Sequence, residues 1–308
     1  MNLLRIIFMG TPEFAVPSLE ALLENKFDVV AVVTAPDKPQ GRGQKLIPSP
    51  IKECALKRGI PVLQPTNLKS PEFLAELKSF NANLQVVVAF RMLPETVWSM
   101  PALGTFNLHA SLLPQYRGAA PINWAIIHGE KETGVTTFFL KQEIDTGSIL
   151  FQEREPINDD DDAGSLYERL KEKGGHLVVK TVRAIQSGSY TTVPQIETRD
   201  AKPAPKIFKE TCEIRWNQKA PQVHNFVRGL SPHPAAWTVW NGNSYKIFKV
   251  SIAIHQGELN PGEFATDNKR YLYVKVLDGW ISVDELQPEG KRRMTIGEFL
   301  AGNKIGNQ

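Results

Sequence analysis

Three apolar runs shape the first hundred residues: "LLRIIFMG" from Leu3, "FDVVAVVTAP" from Phe27 and "LQVVVAF" from Leu84. A strand with one face in water alternates apolar and polar side chains, whereas a strand covered on both faces has no reason to. Such runs, separated by helical spacing, restrict the chain to a parallel sheet between helices. "VPSLEALLE" supplies that spacing, with Leu19, Leu22 and Leu23 on one side, and "PEFLAELKSF" supplies it again. The expected class is α/β, a Rossmann-like open parallel sheet reaching to about Gln186.

At 308 residues the chain exceeds what one core usually serves, so two domains are expected. From about Tyr190 to Pro205 the periodicity fails and Pro, Thr and charge accumulate, as in a linker. Beyond Lys206 the segments shorten ("PAAWTVWNG", "YKIFKVSIAI", "YLYVKVLDGWISVDELQP") and alternate, the pattern of a small antiparallel barrel. The expected organisation is residues 1–189, a linker at 190–205 and an OB-like barrel domain at 206–308.

Charge is divided between these parts. Residues 201–308 hold 15 Lys/Arg and 10 Asp/Glu, a balance of +5, while residues 1–200 hold 21 and 23, a balance of −2. A basic C-terminal part is consistent with a polyanion partner, and equally with chance asymmetry on a solvated surface. Lys291, Arg292 and Arg293 pose the same choice, between phosphate contacts and a solvated turn. The two cysteines, Cys54 and Cys212, are far apart and lack metal-ligand spacing. Neither a disulfide framework nor a metal site is expected, and the compartment is read as the cytoplasm. "MNLLRIIFMG" is too short and wrongly flanked for a signal peptide, and no apolar run approaches a membrane span. The acidic run Asp159–Asp162 reads as the capped front of a helix, where the dipole favours acids.

Chemistry concentrates in "TFNLHASLLPQYRG", residues 105–118. On a strand, residues i and i+2 share a face, so Asn107 and His109 point the same way, near the strand end where open α/β sheets place their crevice. "EIDTG" then puts Asp145 at a bend between two strands. An amide can hold an oxyanion, an imidazole can move protons near neutral pH, and a carboxylate can orient it. That set suits acyl transfer to an amine. Taken alone, Asp145 reads as an ordinary turn residue and His109 as a core histidine.

Competing patterns are incomplete. Ser111, His109 and Asp145 have the residue types of a hydrolytic triad, but Ser111 lies in no G-x-S-x-G elbow. "DTG" would need a second carboxylate loop to resemble an aspartic protease. "FMGTPEF" has one glycine where a dinucleotide fingerprint needs three, and no G-x-x-x-x-G-K-[ST] occurs. Residues 35–53, "APDKPQGRGQKLIPSPIKE", form a long surface loop whose glycines flank Arg42 and whose Lys38, Lys45 and Lys52 attract phosphates.

Taken together, "NLHASLLPQYRGAAPINWAI" followed by "EIDTG" resembles the folate-dependent formyltransferases. "FMGTPEFAVPSL", the 35–53 loop, "FVRGLSPHPAAW" and "GKRRMTIGEFLAG" extend the resemblance across nearly the whole chain, to those members that act on initiator tRNA. The resemblance implies formyl transfer from 10-formyltetrahydrofolate to the α-amine of methionyl initiator tRNA, in translation initiation. It implies a catalytic trio of Asn107, His109 and Asp145, and a folate site lined by Ser111, Leu112, Leu113 and Pro114. It implies tRNA contacts at Arg42, Lys38, Lys45 and Lys206. No metal and no obligate protein partner are expected. An amino-sugar-nucleotide N-formyltransferase or a formyltetrahydrofolate hydrolase is the alternative. One departure stands out: His233 occupies a position where many relatives are expected to carry Trp.

Overall fold

A computed structural model describes residues 3–40, 45–196 and 200–305. By spatial contact the chain divides into two compact units. The first comprises Met1–Gly118, Gly134–Glu155 and Tyr167–Pro203; the second comprises Ala119–Thr133, Pro156–Leu166 and Ala204–Gln308.

In the first unit a seven-stranded sheet has the order Ile149–Pro156, Glu132–Phe139, Thr105–His109, Leu84–Val88, Arg5–Gly10, Asp28–Val33, Val62–Leu63. Phe8 and Met9 are neighbours that project to opposite faces, yet both are 0% exposed, which is why the run needs no polar alternation. The last five strands of that order are parallel, as the apolar runs predict. The Glu132–Phe139 strand, however, joins Thr105–His109 antiparallel, so one edge of the sheet is mixed. Nine residues separate Phe139 from Ile149, fewer than the dozen or so a parallel crossover needs. These neighbours form a hairpin in which the Phe139 N–H donates to the Ser148 carbonyl at 3.0 Å.

Strand order reverses at Arg5–Gly10, because the chain first adds strands on one side and then crosses to Leu84–Val88 on the other. Such a reversal opens a crevice at the strands' carboxyl ends. Gly10 ends one of them, where a Cβ would lie 2.8 Å from Ala15 Cβ and 3.0 Å from the Val88 carbonyl oxygen. Thr105–His109 is the next strand along, with Asn107 opposite Val87. Helices cover the sheet as the spacing predicts: Leu19 and Leu22 are buried and Leu23 half-buried, and Ser70 caps Pro71–Ser79 through its Oγ.

The described residues on either side of 41–44 form regular elements where the sequence suggests only loop. Lys38–Gln40 pairs antiparallel with Lys45–Ile47, and Pro50–Lys57 is a helix capped by Ser49. The linker stretch is also tied down: Val193 exchanges both backbone hydrogen bonds with Ile149, at 2.8 and 2.9 Å.

The second unit is built on antiparallel strands in the order Ala236–Trp240, Asn243–Ala253, Gly279–Pro288, Leu272–Val276, Phe264–Thr266. That path is open, and register shifts around Lys249 bend the longest strand, giving the partly open curl an OB-like reading expects. Trp216 and Trp240 stack at 6.0 Å inside it. Helix Ala220–Leu230 draws earlier segments into this unit. Asn123 Nδ2 donates to the Gly229 carbonyl at 2.8 Å, and the buried Arg228 guanidinium donates to the Asn158 and Asp161 carbonyls, both at 3.0 Å.

The acidic run caps a helix as predicted: Asp162 Oδ1 accepts from Ser165 N at 2.8 Å, and Asp161 Oδ1 from Ser165 Oγ at 2.8 Å. Among the described residues there is no cluster of His, Cys, Asp and Glu able to hold a metal ion. Cys54 and Cys212 are both free and buried, and burial pushes both thiols up. No helix among the described residues is long and apolar enough to cross a membrane.

Candidate active site

The Thr105–His109 strand carries Asn107 and His109 two residues apart, on one face. Asn107 is half-buried, and its side-chain amide has no hydrogen-bond partner among the described residues. A buried or half-buried amide left open in this way is costly unless something else takes its hydrogens. His109 is 6% exposed, with Nε2 2.8 Å from the Tyr116 carbonyl oxygen. A carbonyl only accepts, so Nε2 carries a hydrogen. Nδ1 is then the proton-accepting nitrogen of the neutral ring, and it faces Asp145 Oδ2 at 3.8 Å. That distance allows an ion pair once the ring is charged, but not a direct hydrogen bond.

Local backbone geometry makes the pairing. Tyr116 has φ 59° and Asp145 has φ 55°, both in the left-handed region that non-glycine residues rarely adopt. The Gly118 N–H donates to Asp145 Oδ2 at 3.1 Å, which holds the carboxylate toward the imidazole. Gly147 follows for want of space: a Cβ there would sit 1.5 Å from the Phe139 carbonyl oxygen. The glycine of "DTG" is demanded by close approach.

The segment after His109 is braced from the neighbouring hairpin. Thr136 Oγ1 donates to the Ser111 carbonyl at 2.6 Å and accepts from Leu113 N at 3.2 Å. Gln152 Nε2 donates to the Leu113 carbonyl at 2.9 Å. Ser111 has no exposed surface, and its Oγ donates to the Gln115 carbonyl at 2.6 Å. With both imidazole nitrogens facing Tyr116 and Asp145, no Ser–His pair exists, and a hydrolytic triad is excluded. Leu113 is buried; Leu112 and Pro114 are half-buried and keep part of their surface open. Thr136 and Gln152, which hold this segment, carry no motif that would single them out in the sequence.

The cations expected to meet nucleic acid fall into three groups. Arg42 lies outside the described residues, as does the side chain of Lys45. Lys38 and Lys206 are exposed, and Lys206 Nζ lies 5.3 Å from the ring centroid of Phe208, itself 53% exposed. Others are engaged within the chain. Lys52 Nζ binds Asp37 Oδ2 at 2.5 Å, and that contact holds the Asp37 carboxyl below its ordinary range. Arg292 pairs with Glu298 at 2.7 Å and Arg293 with Glu285 at 2.6 Å. His233 is exposed.

Residues 4–182 match the family described as formyl transferase, and residues 206–304 match the formyl transferase C-terminal domain. The chain belongs to the formyl transferase family. This formyl transferase is 55% identical over 314 residues to a methionyl-tRNA formyltransferase of Phocaeicola vulgatus, a match covering 99% of this chain and 97% of that one. A methionyl-tRNA formyltransferase of Bacteroides fragilis is 53% identical over 307 residues, covering 97% and 95% of the two chains. Among solved structures, an N-formyltransferase from Helicobacter canadensis, crystallised with folinic acid and dTDP-3-aminofucose, superposes with a TM-score of 0.68. It is 24% identical, covering 92% of this chain and 99% of that one, and the likeness is one of fold.

Proposed function

We propose that this formyl transferase moves the formyl group of 10-formyltetrahydrofolate to the α-amine of methionyl initiator tRNA, in the cytoplasm, for translation initiation. The observation that carries the proposal is identity of 53–55% to methionyl-tRNA formyltransferases across both the N- and C-terminal segments. The 24% identity to an amino-sugar N-formyltransferase is no match for it.

The residues suit a formyl donor. A formyl group entering tetrahedral geometry gathers negative charge on one oxygen, and the open Asn107 amide supplies N–H groups for it without reorganisation. His109, fixed by Tyr116, holds Nδ1 ready to take a proton from the attacking amine. Asp145 stabilises the imidazolium so formed and helps return the proton to the departing folate nitrogen. In this reading Ser111, Leu112, Leu113 and Pro114 form the folate wall, with Ser111 and Leu113 shaping it from within. Residues 1–189 carry the chemistry, and the 190–205 linker leads to the tRNA-binding 206–308 domain. Arg42, Lys38, Lys45 and Lys206 contact tRNA, through phosphates and, at Arg42, base edges.

The test is direct. Purified protein receives 10-formyltetrahydrofolate with initiator methionyl-tRNA, elongator methionyl-tRNA or an amino-sugar nucleotide. Transfer confined to the initiator species is expected. Preference for the sugar, or formate release without any amine, overturns the assignment in favour of one of the two alternatives.

A further inference from the structure

We propose that Gln195 is a positioning residue for Asp145, so that the segment following the long Ala163–Ser187 helix sets the geometry of the His109–Asp145 pair. The proposal rests on the reading of Asp145 as the carboxylate of formyl transfer.

Gln195 lies 50 residues along the chain from Asp145, in a stretch whose composition suggests only a connector. Its Nε2 donates to the Asp145 carbonyl at 2.7 Å and to the Gly147 carbonyl at 2.8 Å. Its Oε1 accepts from Arg117 Nε at 3.1 Å and from Arg117 Nη2 at 2.7 Å. Both donor hydrogens and both acceptor sites of the amide are engaged, which leaves the side chain a single orientation. The turn it grips is one that needs gripping. Asp145 sits at φ 55°, and a non-glycine residue stays there only where its surroundings over-determine it. The Asp145 carboxylate is anchored by the Gly118 N–H, the residue after Arg117, so Arg117, Gln195 and Asp145 form one closed circuit with the backbone.

The same segment reaches the other half of the pair. The Lys202 carbonyl accepts from the Tyr116 N–H at 2.6 Å, and the Tyr116 carbonyl is the partner of His109 Nε2. Lys202 N in turn donates to Gln115 Oε1 at 2.9 Å. Gln195 is therefore bonded to the turn that carries Asp145, and Lys202 to the turn that fixes the imidazole. Because the Nδ1–Oδ2 gap is 3.8 Å, a shift of one ångström at either turn decides whether the two groups interact.

The experiment uses the full chain and compares the parent with Gln195→Ala and with Gln195→Glu. The second is nearly isosteric, keeps an acceptor for Arg117 and removes both donors. Expected are a fall in kcat of about 10- to 100-fold, KM for each substrate within about twofold, and no further loss when either change is added to Asp145→Asn. Amide hydrogen exchange supplies a readout independent of activity: protection at Gly118 falls about tenfold in Gln195→Glu while the Thr105–His109 strand keeps its protection. Parent-like kcat, losses that multiply with Asp145→Asn, or unchanged Gly118 protection overturn the proposal. Should Gln195→Ala fail to fold, Gln195→Glu decides alone. If the parent transfers no formyl group to initiator tRNA, the functional reading falls, and the exchange measurement still judges the positioning.

Discussion

His109 Nδ1 faces Asp145 Oδ2 at 3.8 Å, while the other ring nitrogen is held at 2.8 Å by the Tyr116 carbonyl. The imidazole is thus fixed in one tautomer by a backbone group and paired by a charge, two different jobs done by two partners. Replacing Asp145 with Asn keeps an oxygen for the Gly118 N–H and removes only the charge. Single-turnover formyl transfer in Asp145→Asn is expected to slow by about 10²–10⁴-fold with the thermal midpoint almost unmoved. Parent-like single turnovers would leave the carboxylate as a turn residue.

Asn107→Ala separates chemistry from folding in a similar way. The amide has no partner among the described residues, so its loss unpairs nothing. Stability is expected to stay within about 1 kcal/mol of the parent by urea titration. The transfer rate is expected to drop about 10²–10³-fold, the usual cost of deleting an oxyanion donor. A large stability loss with intact turnover would reverse the two roles.

Gly147→Ala acts through space. With the new Cβ 1.5 Å from the Phe139 carbonyl oxygen, the backbone between Glu132–Phe139 and Ile149–Pro156 has to move. A loss of roughly 3 kcal/mol is expected, read from the denaturation midpoint, together with slower transfer because Asp145 is two residues away. An unchanged midpoint would show that the bend yields without cost.

Arg42 stands between two glycines, and the family resemblance implies a tRNA contact there. Arg42→Ala is expected to raise KM for tRNA while folate binding, followed by fluorescence titration, stays as in the parent. Transfer to tRNA is also expected to weaken steeply as salt rises, since each phosphate contact releases counterions. Identical tRNA kinetics for mutant and parent, or a flat salt response, would count against a phosphate-reading loop.

The C-terminal helix Ile296–Gly302 carries a pH signature. Glu298 accepts from Arg292 and from the Thr295 N–H and hydroxyl, and these contacts hold its pKa down at about 2 from an ordinary 4.5. Between those values the unfolded chain binds a proton that the folded chain does not, so stability declines as pH falls through that window. Glu298→Gln is expected to flatten the pH dependence of the thermal midpoint between about pH 4.5 and 2. The same slope in mutant and parent would assign the acid sensitivity elsewhere.

Local sequence carried the site further than the surface. Asn107 and His109 were legible as a pair because strand geometry puts i and i+2 on one face, wherever the strand finally sits. The basic residues were not legible in that way. Lys52, Arg292 and Arg293 look alike as charges, and only their partners Asp37, Glu298 and Glu285 distinguish engaged cations from free ones. Lys38–Gln40 and Lys45–Ile47 read as loop because strands this short leave no periodicity to detect.

What the residues determined by themselves is a parallel sheet covered on both faces, since side chains at Phe8, Met9 and Val86–Val88 leave water on both sides of their strands. They also placed an amide and an imidazole, Asn107 and His109, on one face of a strand. Tertiary structure alone decided that Glu132–Phe139 enters antiparallel, that Asn123 and Arg228 draw residues 119–133 and 156–166 to the C-terminal sheet, and that Gln195 closes on Asp145. Each of these depends on hydrogen bonds between residues tens of positions apart, and no local pattern encodes a partner at that distance.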